Sequence, residues 1–387
     1  MKESQKIVYL DNAATSFPKP ENVYEAVLET MREECGNPGR SGHRLSLSAG
    51  RIVNEARVLC ARIFHAQSPD SIVFTPNTTA ALNIAIKGIL EPGDHVITSS
   101  LEHNSVSRPL HCLEQAGIRI TKLPTDLQHG LGASDIEKAI RPDTRLVVCT
   151  HVSNVTGTIN DIASIGTFCR DKGILFLVDA AQSAGSRPID VEGMHIDMLA
   201  FPGHKGLLGP QGTGGLFVRP GLGLKAFIQG GTGSKSESLS QPESMPDRFE
   251  SGTLNTPGLA GLAAGIRFIL REGIEKIVQA EADLTKRLIE GIGALNSVRL
   301  LGPEPGQDRG SVVSVILEKT SPAEAALMMD SAFQIAVRSG LHCAADAHRS
   351  TGTLEKGGAL RISPNYFNTP GDIDLCLNAL ELCARGL

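Results

Sequence analysis

The chain has 387 residues, 41% of them hydrophobic and 20% charged, with a formal net charge of −5 and an isoelectric point near 6.1. This balance excludes the basic surface needed to bind nucleic acid or an anionic membrane, and with no tryptophan and three tyrosines there is no aromatic platform for stacking bases. No stretch reaches the ~18 consecutive apolar residues of a membrane span. The eight cysteines form no CxxC pair, which points to reduced thiols in a cytoplasmic setting rather than a disulfide framework or a zinc site.

The N-terminus, MKESQKIVYLDNAATS, lacks the apolar core of a secretory signal. From about residue 70 to 220 the pattern alternates between strand and helix. SIVFT (71–75) reads as a strand and TTAALNIAIKGIL (78–90) as a helix that ends before Pro92-Gly93. HVITSS (95–100) is the next strand, and VSRPLHCLEQAG (106–117) a helix closed by glycine. IRITKLP, RLVVCTHVS and ILFLVDAA follow as strands with helical stretches between them. Continuous apolar strands alternating with helices predict a mostly parallel sheet covered on both faces. Residues 230–253, poor in apolar groups, read as a long functional loop. From Leu259 to about Leu295 the pattern is helical; VRLLG, SVVSVILEK, AEAALMMDSAF and DIDLCLNALELCAR then predict a smaller α+β unit. The expected division is a large domain over 21–256, with 1–20 and 257–387 forming a small one.

Ligands on parallel sheets bind at the carboxyl ends of the strands. There the sequence places Thr78 and Thr79, then His103, Asn154, Asp179-Ala180-Ala181-Gln182, and His204-Lys205 in a glycine-rich turn. Taken singly, each has an ordinary reading: a helix cap, a surface lysine, a core histidine. Together they suit pyridoxal 5'-phosphate (PLP). A lysine amine can form a Schiff base with its aldehyde, and an aspartate can keep its pyridine nitrogen protonated. Free N–H groups at a helix start favour its phosphate. His103 is placed to stack on the ring, and Asn154 to hydrogen-bond the ring hydroxyl. GPQGTGG does not supply a dinucleotide loop, because it precedes a strand and lacks the GxGxxG spacing.

LDNAATSFPKP, TPNTTAALN, LEHNSVSRP, SNVTGT, VDAAQSAG, GHKGLLGPQGTGGLFV, FESGTLNTPG and VRSGLHCA resemble, in order, the class V branch of fold-type I PLP enzymes, nearest to the cysteine desulfurases and selenocysteine lyases. The likeness runs from about residue 8 to 380, and its most diagnostic part is the pair Asp179 and Lys205, 26 positions apart. It implies a PLP-dependent transferase fold with a seven-stranded sheet in the large domain. It also implies that Lys205 binds the cofactor aldehyde, Asp179 the pyridinium and Gln182 the ring oxygen. His103 stacks on the ring, Asn154 lies near ring and substrate, and Thr79 and His204 take the phosphate. Thr253 is expected to reach the phosphate of a neighbouring subunit, which implies a homodimer. The family often has serine where this chain has Pro202; proline offers neither hydroxyl nor N–H, so one phosphate contact is missing or replaced.

Cys343, with Arg338 and His342 close in sequence, is by resemblance the nucleophile for substrate sulfur, and positive neighbours favour its thiolate. Arg361 suits a substrate α-carboxylate; by the resemblance Asn12 and Ala13 are expected to line the same entrance, with Arg40 and His43 expected at its border. The expected reaction turns L-cysteine into L-alanine and leaves a persulfide on Cys343 for a sulfur-acceptor protein. A selenocysteine lyase acting on L-selenocysteine, or another class V lyase or aminotransferase, is the alternative. No metal is expected.

Overall fold

The computed structural model describes residues 7–34, 36–39 and 41–386. The chain opens with a two-residue strand, β1 (Val8–Tyr9), and two helices, α1 (Glu21–Glu33) and α2 (Arg44–Ile63). The alternating stretch then runs β2 (Ile72–Thr75), α3 (Thr78–Ile89), β3 (His95–Ser99), α4 (Asn104–Glu114), β4 (Arg119–Leu123), α5 (Ala133–Glu137), β5 (Thr144–Thr150), α6 (Ile162–Lys172), β6 (Leu175–Asp179), β7 (Met198–Pro202) and β8 (Gly214–Val218).

These strands form one seven-stranded sheet in the order β2-β8-β7-β6-β5-β3-β4. β3 to β7 are mutually parallel; β8 runs antiparallel to both β2 and β7. Every residue of β2, β3, β6, β7 and β8 is buried, as a sheet covered on both faces requires. One face packs Phe64, Ile97, Phe176, Phe201 and Phe217 against α2 and the helix that follows the long loop; the other packs Leu82, Ile86, Val96, Val106 and Met198. The edge strand β4 is only partly covered, and its Arg119 and Lys122 discourage pairing with another chain.

Residues 230–253 carry no helix or strand. Their end is fixed by Glu250, whose carboxylate accepts from Arg57 at 2.8 and 2.7 Å and from the Phe74 N–H at 2.7 Å. The long helical pattern that follows is two helices, α7 (Thr256–Glu272) and α8 (Ile274–Gly293), parted at Gly273, whose φ of 86° ends the first helix. Next come β9 (Val298–Leu301), β10 (Val313–Leu317), α9 (Pro322–Phe333), β11 (Ile335–Ala336), β12 (Arg338–Gly340), α10 (Ala345–Ser350), β13 (Ala359–Ile362) and α11 (Pro370–Arg385). A four-stranded antiparallel sheet, β12-β13-β10-β9, forms here, while β1 pairs in parallel with β11. Val8 and Leu10 pack with Leu288, Val315, Leu360, Ile373 and Leu380 in its core. α7 instead contributes Leu259, Leu262, Ile266 and Ile269 to the core of the large sheet. We propose the division 21–256 against 1–20 with 257–387 as the functional one, with α7 as the bridge between the two cores.

Candidate active site

The carboxyl ends of β3, β5, β6 and β7 meet the start of α3 and the second sheet around one cavity. Its lining includes Ala13, Thr78, Thr79, His103, Asn154, Asp179, Gln182, His204, Lys205 and Arg361, ten of the residues singled out from the sequence. Asn12 lines an adjoining cavity that shares Ala13, Gln182 and Lys205 with the first. Its amide is already engaged: Nδ2 donates to Ser363 O at 2.9 Å, and Oδ1 accepts from Phe17 N at 3.1 Å. His43 is exposed and caps α2 by accepting from Ser46 N, and Arg40 lies outside the described residues.

Asp179 ends β6, and its Oδ1 accepts from Ala181 N at 2.9 Å. Burial pushes its pKa up to about 6, partly offset by that hydrogen bond and by the charge of Lys205. Burial also pushes the Lys205 amine down to about 8, with the Arg361 charge adding to the effect. Both members of the pair therefore shift toward their neutral forms: loss of hydration outweighs their attraction. The glycine turn around Lys205 has a packing cause. A side chain at Gly203 would strike the Thr213 hydroxyl, and one at Gly206 the Ala184 carbonyl.

α3 starts at Thr78 with Asn77 as its cap, Oδ1 accepting from Ala80 N at 2.9 Å. The N–H groups of Thr78 and Thr79 thus belong to the helix's first turn, where they have no intrahelical acceptor. Thr79 Oγ1 lies 2.7 Å from Ser105 Oγ, and Ser105 Oγ lies 2.8 Å from His103 Nδ1. His103 Nδ1 also accepts from Ser105 N at 3.1 Å. Burial, followed by the Lys205 charge, holds His103 near a pKa of about 4, so the ring is neutral and, with Nδ1 accepting, carries its proton on Nε2. Burial likewise brings His204 to about 4, and its Nδ1 is a buried atom without a hydrogen-bond partner.

Arg361 is 1% exposed. Its Nη1 donates to Asn154 O at 3.1 Å and its Nη2 pairs with Asp11 Oδ1 at 2.7 Å, while its Nε has no partner. Asn154 Nδ2 donates to His342 O at 2.7 Å, and Gln182 Nε2 donates to Ala13 O at 3.0 Å. Cys343 is exposed, in a turn whose carbonyl accepts from Asn104 N at 2.7 Å, one residue past His103. Its neighbour His342 lines the cavity but does not supply the positive charge expected of it. Burial and the Arg361 charge push its pKa down to about 3, so it is neutral. Thr253 is exposed outside this cavity, with Asn37 Nδ2 at 3.4 Å. Pro202 is buried as the last residue of β7, paired with Gly214, and is absent from the cavity lining. The reading from sequence missed Asp11, Ser105 and Arg338 as site residues. All three lie inside the stretches quoted above, Asp11 in LDNAATSFPKP, Ser105 in LEHNSVSRP and Arg338 in VRSGLHCA, but nothing in those stretches alone assigns them a role.

The donor set fits PLP: a buried acid at a strand end, a buried amine of lowered basicity, a helix N-terminus beside two hydroxyls, and a buried histidine nitrogen in need of a partner. Among the described residues no cluster of His, Cys, Asp and Glu is arranged to hold a metal, and no helix is long and apolar enough to cross a membrane.

A large domain with this sheet, and a lysine facing an acid across its strand ends, defines a fold-type I PLP enzyme. The chain belongs to the aminotransferase class-V family, whose sequence profile matches residues 8–376. A protein of Methanothermobacter thermautotrophicus named "Probable cysteine desulfurase" is 38% identical over 97% of this chain and 94% of its own length. The apo structure of a cysteine desulfurase from Thermococcus onnurineus superposes with a TM-score of 0.92 at 36% identity, covering 98% of this chain and 95% of that one. The cysteine desulfurase CsdA of Escherichia coli, solved with an S-sulfonic acid, gives 0.88 at 28% identity, covering 98% and 95%.

Proposed function

We propose that this chain is a PLP-dependent cysteine desulfurase that converts L-cysteine to L-alanine and takes the sulfur onto Cys343. The observation that carries the reading is the cavity in which Asp179, Lys205 and Arg361 meet, with the Cys343 turn tied to its rim at Asn104. When bound, the cofactor withdraws electrons from substrate Cα and so loosens both the Cα proton and the bond from Cβ to sulfur.

Asp179 would hold the ring nitrogen in its protonated form, and His103, lining the same cavity, would pack against the ring. The first-turn N–H groups of α3, with Thr79, His204 and the Ser105 hydroxyl, hold the phosphate; Ser105 stands in for the hydroxyl that Pro202 cannot offer. Lys205 anchors the aldehyde. Its free amine would remove and later return the Cα proton, a task its lowered basicity suits. Arg361 shares its guanidinium between Asp11 and the substrate carboxylate, its unpartnered Nε being the available donor. The Cys343 thiolate attacks substrate sulfur: an S–S bond forms, the Cβ–S bond breaks with its electron pair left on carbon, and alanine results once a proton is added at Cβ and Lys205 returns one to Cα. The persulfide is then open to attack by an acceptor thiol.

We further propose a homodimer in which Thr253 reaches the partner subunit's cofactor phosphate, and a cytoplasmic setting in keeping with seven free cysteines among the described residues. Replacing Cys343 with Ala tests the assignment: alanine formation from cysteine is expected to stop, with spectroscopic binding of cysteine kept. Alanine released at the wild-type rate overturns it.

A further inference from the structure

His342 and Cys343 both have positive φ, 50° and 55°, a conformation that residues with side chains hold only where their surroundings impose it. Two of the restraints are backbone carbonyls held by the site: Cys343 O by Asn104 N, and His342 O by Asn154 Nδ2, each at 2.7 Å. The third comes from behind. His342 Nδ1 lies 3.2 Å from His348 Nε2, and its own Nε2 lies 3.4 Å from Arg338 O. His348 Nδ1 lies 2.7 Å from Thr353 Oγ1, which is 2.8 Å from Thr351 Oγ1. His348 and Thr353 are fully buried, and the two rings stand 5.3 Å apart at 31°.

The proton positions along this line follow from its ends. Burial drives both imidazoles to their neutral forms, His342 near 3 and His348 near 4. Arg338 O can only accept, so His342 carries its proton on Nε2 and accepts at Nδ1. His348 must then donate from Nε2 and accept at Nδ1 from the Thr353 hydroxyl. The donors run in one direction, from Thr353 through His348 and His342 to the Arg338 carbonyl, and the line adds no positive charge beside Arg338, Arg361 and Lys205.

We propose that His348 is a positioning residue for the Cys343 thiol: through the His342 ring it holds the left-handed turn that presents the thiol to substrate sulfur. The proposal rests on the desulfurase reading above. His348 touches neither substrate nor cofactor, and neither it nor Thr353 lines the cavity.

The test compares two reactions of the PLP-loaded enzyme. One is persulfide formation on Cys343 from L-cysteine. The other is exchange of the L-alanine α-hydrogen with deuterated solvent, which needs Lys205 but no thiol. His348→Phe keeps ring volume and removes both nitrogens. It is expected to slow persulfide formation by about 10²-fold, the scale of a small misplacement of reacting groups, with α-hydrogen exchange unchanged. His348→Gln offers an amide donor toward His342 and an acceptor toward Thr353, and is expected to recover most of the loss. Thr353→Val, which removes only the donor to His348, is expected to give a weaker form of the same split and serves if the Phe variant does not fold. Overturning outcomes are a His348→Phe enzyme as fast as wild type, equal loss of both reactions, or no recovery with Gln. Wild-type enzyme that releases alanine without a persulfide on Cys343 overturns the functional reading instead.

Discussion

At the scale of single residues, Asp179 and Lys205 share a cavity, yet burial moves each toward neutrality, the acid up to about 6 and the amine down to about 8. Only the neutral amine can bond to an aldehyde, so the rate at which the cofactor-free protein takes up PLP is expected to rise with pH through about 8 and then level off, followed by absorbance. A rate that stays flat through that range contradicts the assignment. Asp179→Asn leaves the ring nitrogen without its counter-charge and is expected to lower turnover by about 10²–10³-fold, the cost of removing one preorganised electrostatic partner. Wild-type turnover in that variant removes Asp179 from the mechanism. The identities of these residues were legible because each follows its strand directly. The Asp11 pairing of Arg361 was not, because it joins positions 350 apart in the chain. Nor was the neutrality of His342: sequence shows a basic residue beside a thiol, and only burial removes its charge.

At the scale of elements, the anion site is the start of α3 with Ser105 set against Thr79. Ser105→Ala is expected to weaken PLP affinity by about tenfold, the lower end of a hydrogen bond to a charged group, measured by equilibrium titration. Unchanged affinity shows that Ser105 does not replace the hydroxyl missing at Pro202. The buried strands and the helices between them were readable from their periodicity, since β3, β5 and β6 are apolar runs ending in polar residues. The direction of β8 was not, because a fully buried strand has the same pattern in either direction. Its glycines answer to close packing instead: a side chain at Gly215 would meet the Phe201 ring and the Val73 carbonyl. The break between α7 and α8 at Gly273 was also missed, because apolar spacing continues on both sides of it.

At the scale of the whole molecule, the site is assembled from both sheets and from the N-terminal segment, which β1 pins against β11 and Asp11 pins to Arg361. The resulting burial has a price in pH tolerance. His103, His151, His204, His342 and His348 have pKa values pushed by burial to about 3 or 4, below the ordinary 6.5. Their contribution to stability is present above 6.5 and is lost as pH falls, because the unfolded chain takes up the protons first. Burial raises Glu102 to about 8, Glu281 to about 7 and Asp179 to about 6, so their contribution runs the other way and is lost as pH rises through those values. The thermal midpoint of the cofactor-free protein is therefore expected to peak near pH 6.5 and to fall both toward pH 4 and toward pH 8; a midpoint still climbing at pH 8 contradicts this balance.

The most direct test of the whole account is the mass of the peptide containing Cys343 after a single turnover of L-cysteine by the PLP-loaded enzyme, with no acceptor thiol present. The account predicts that this peptide alone gains one sulfur atom, in step with the alanine released. Alanine appearing while the added sulfur sits on another cysteine, or leaves as free sulfide with Cys343 unmodified, contradicts it.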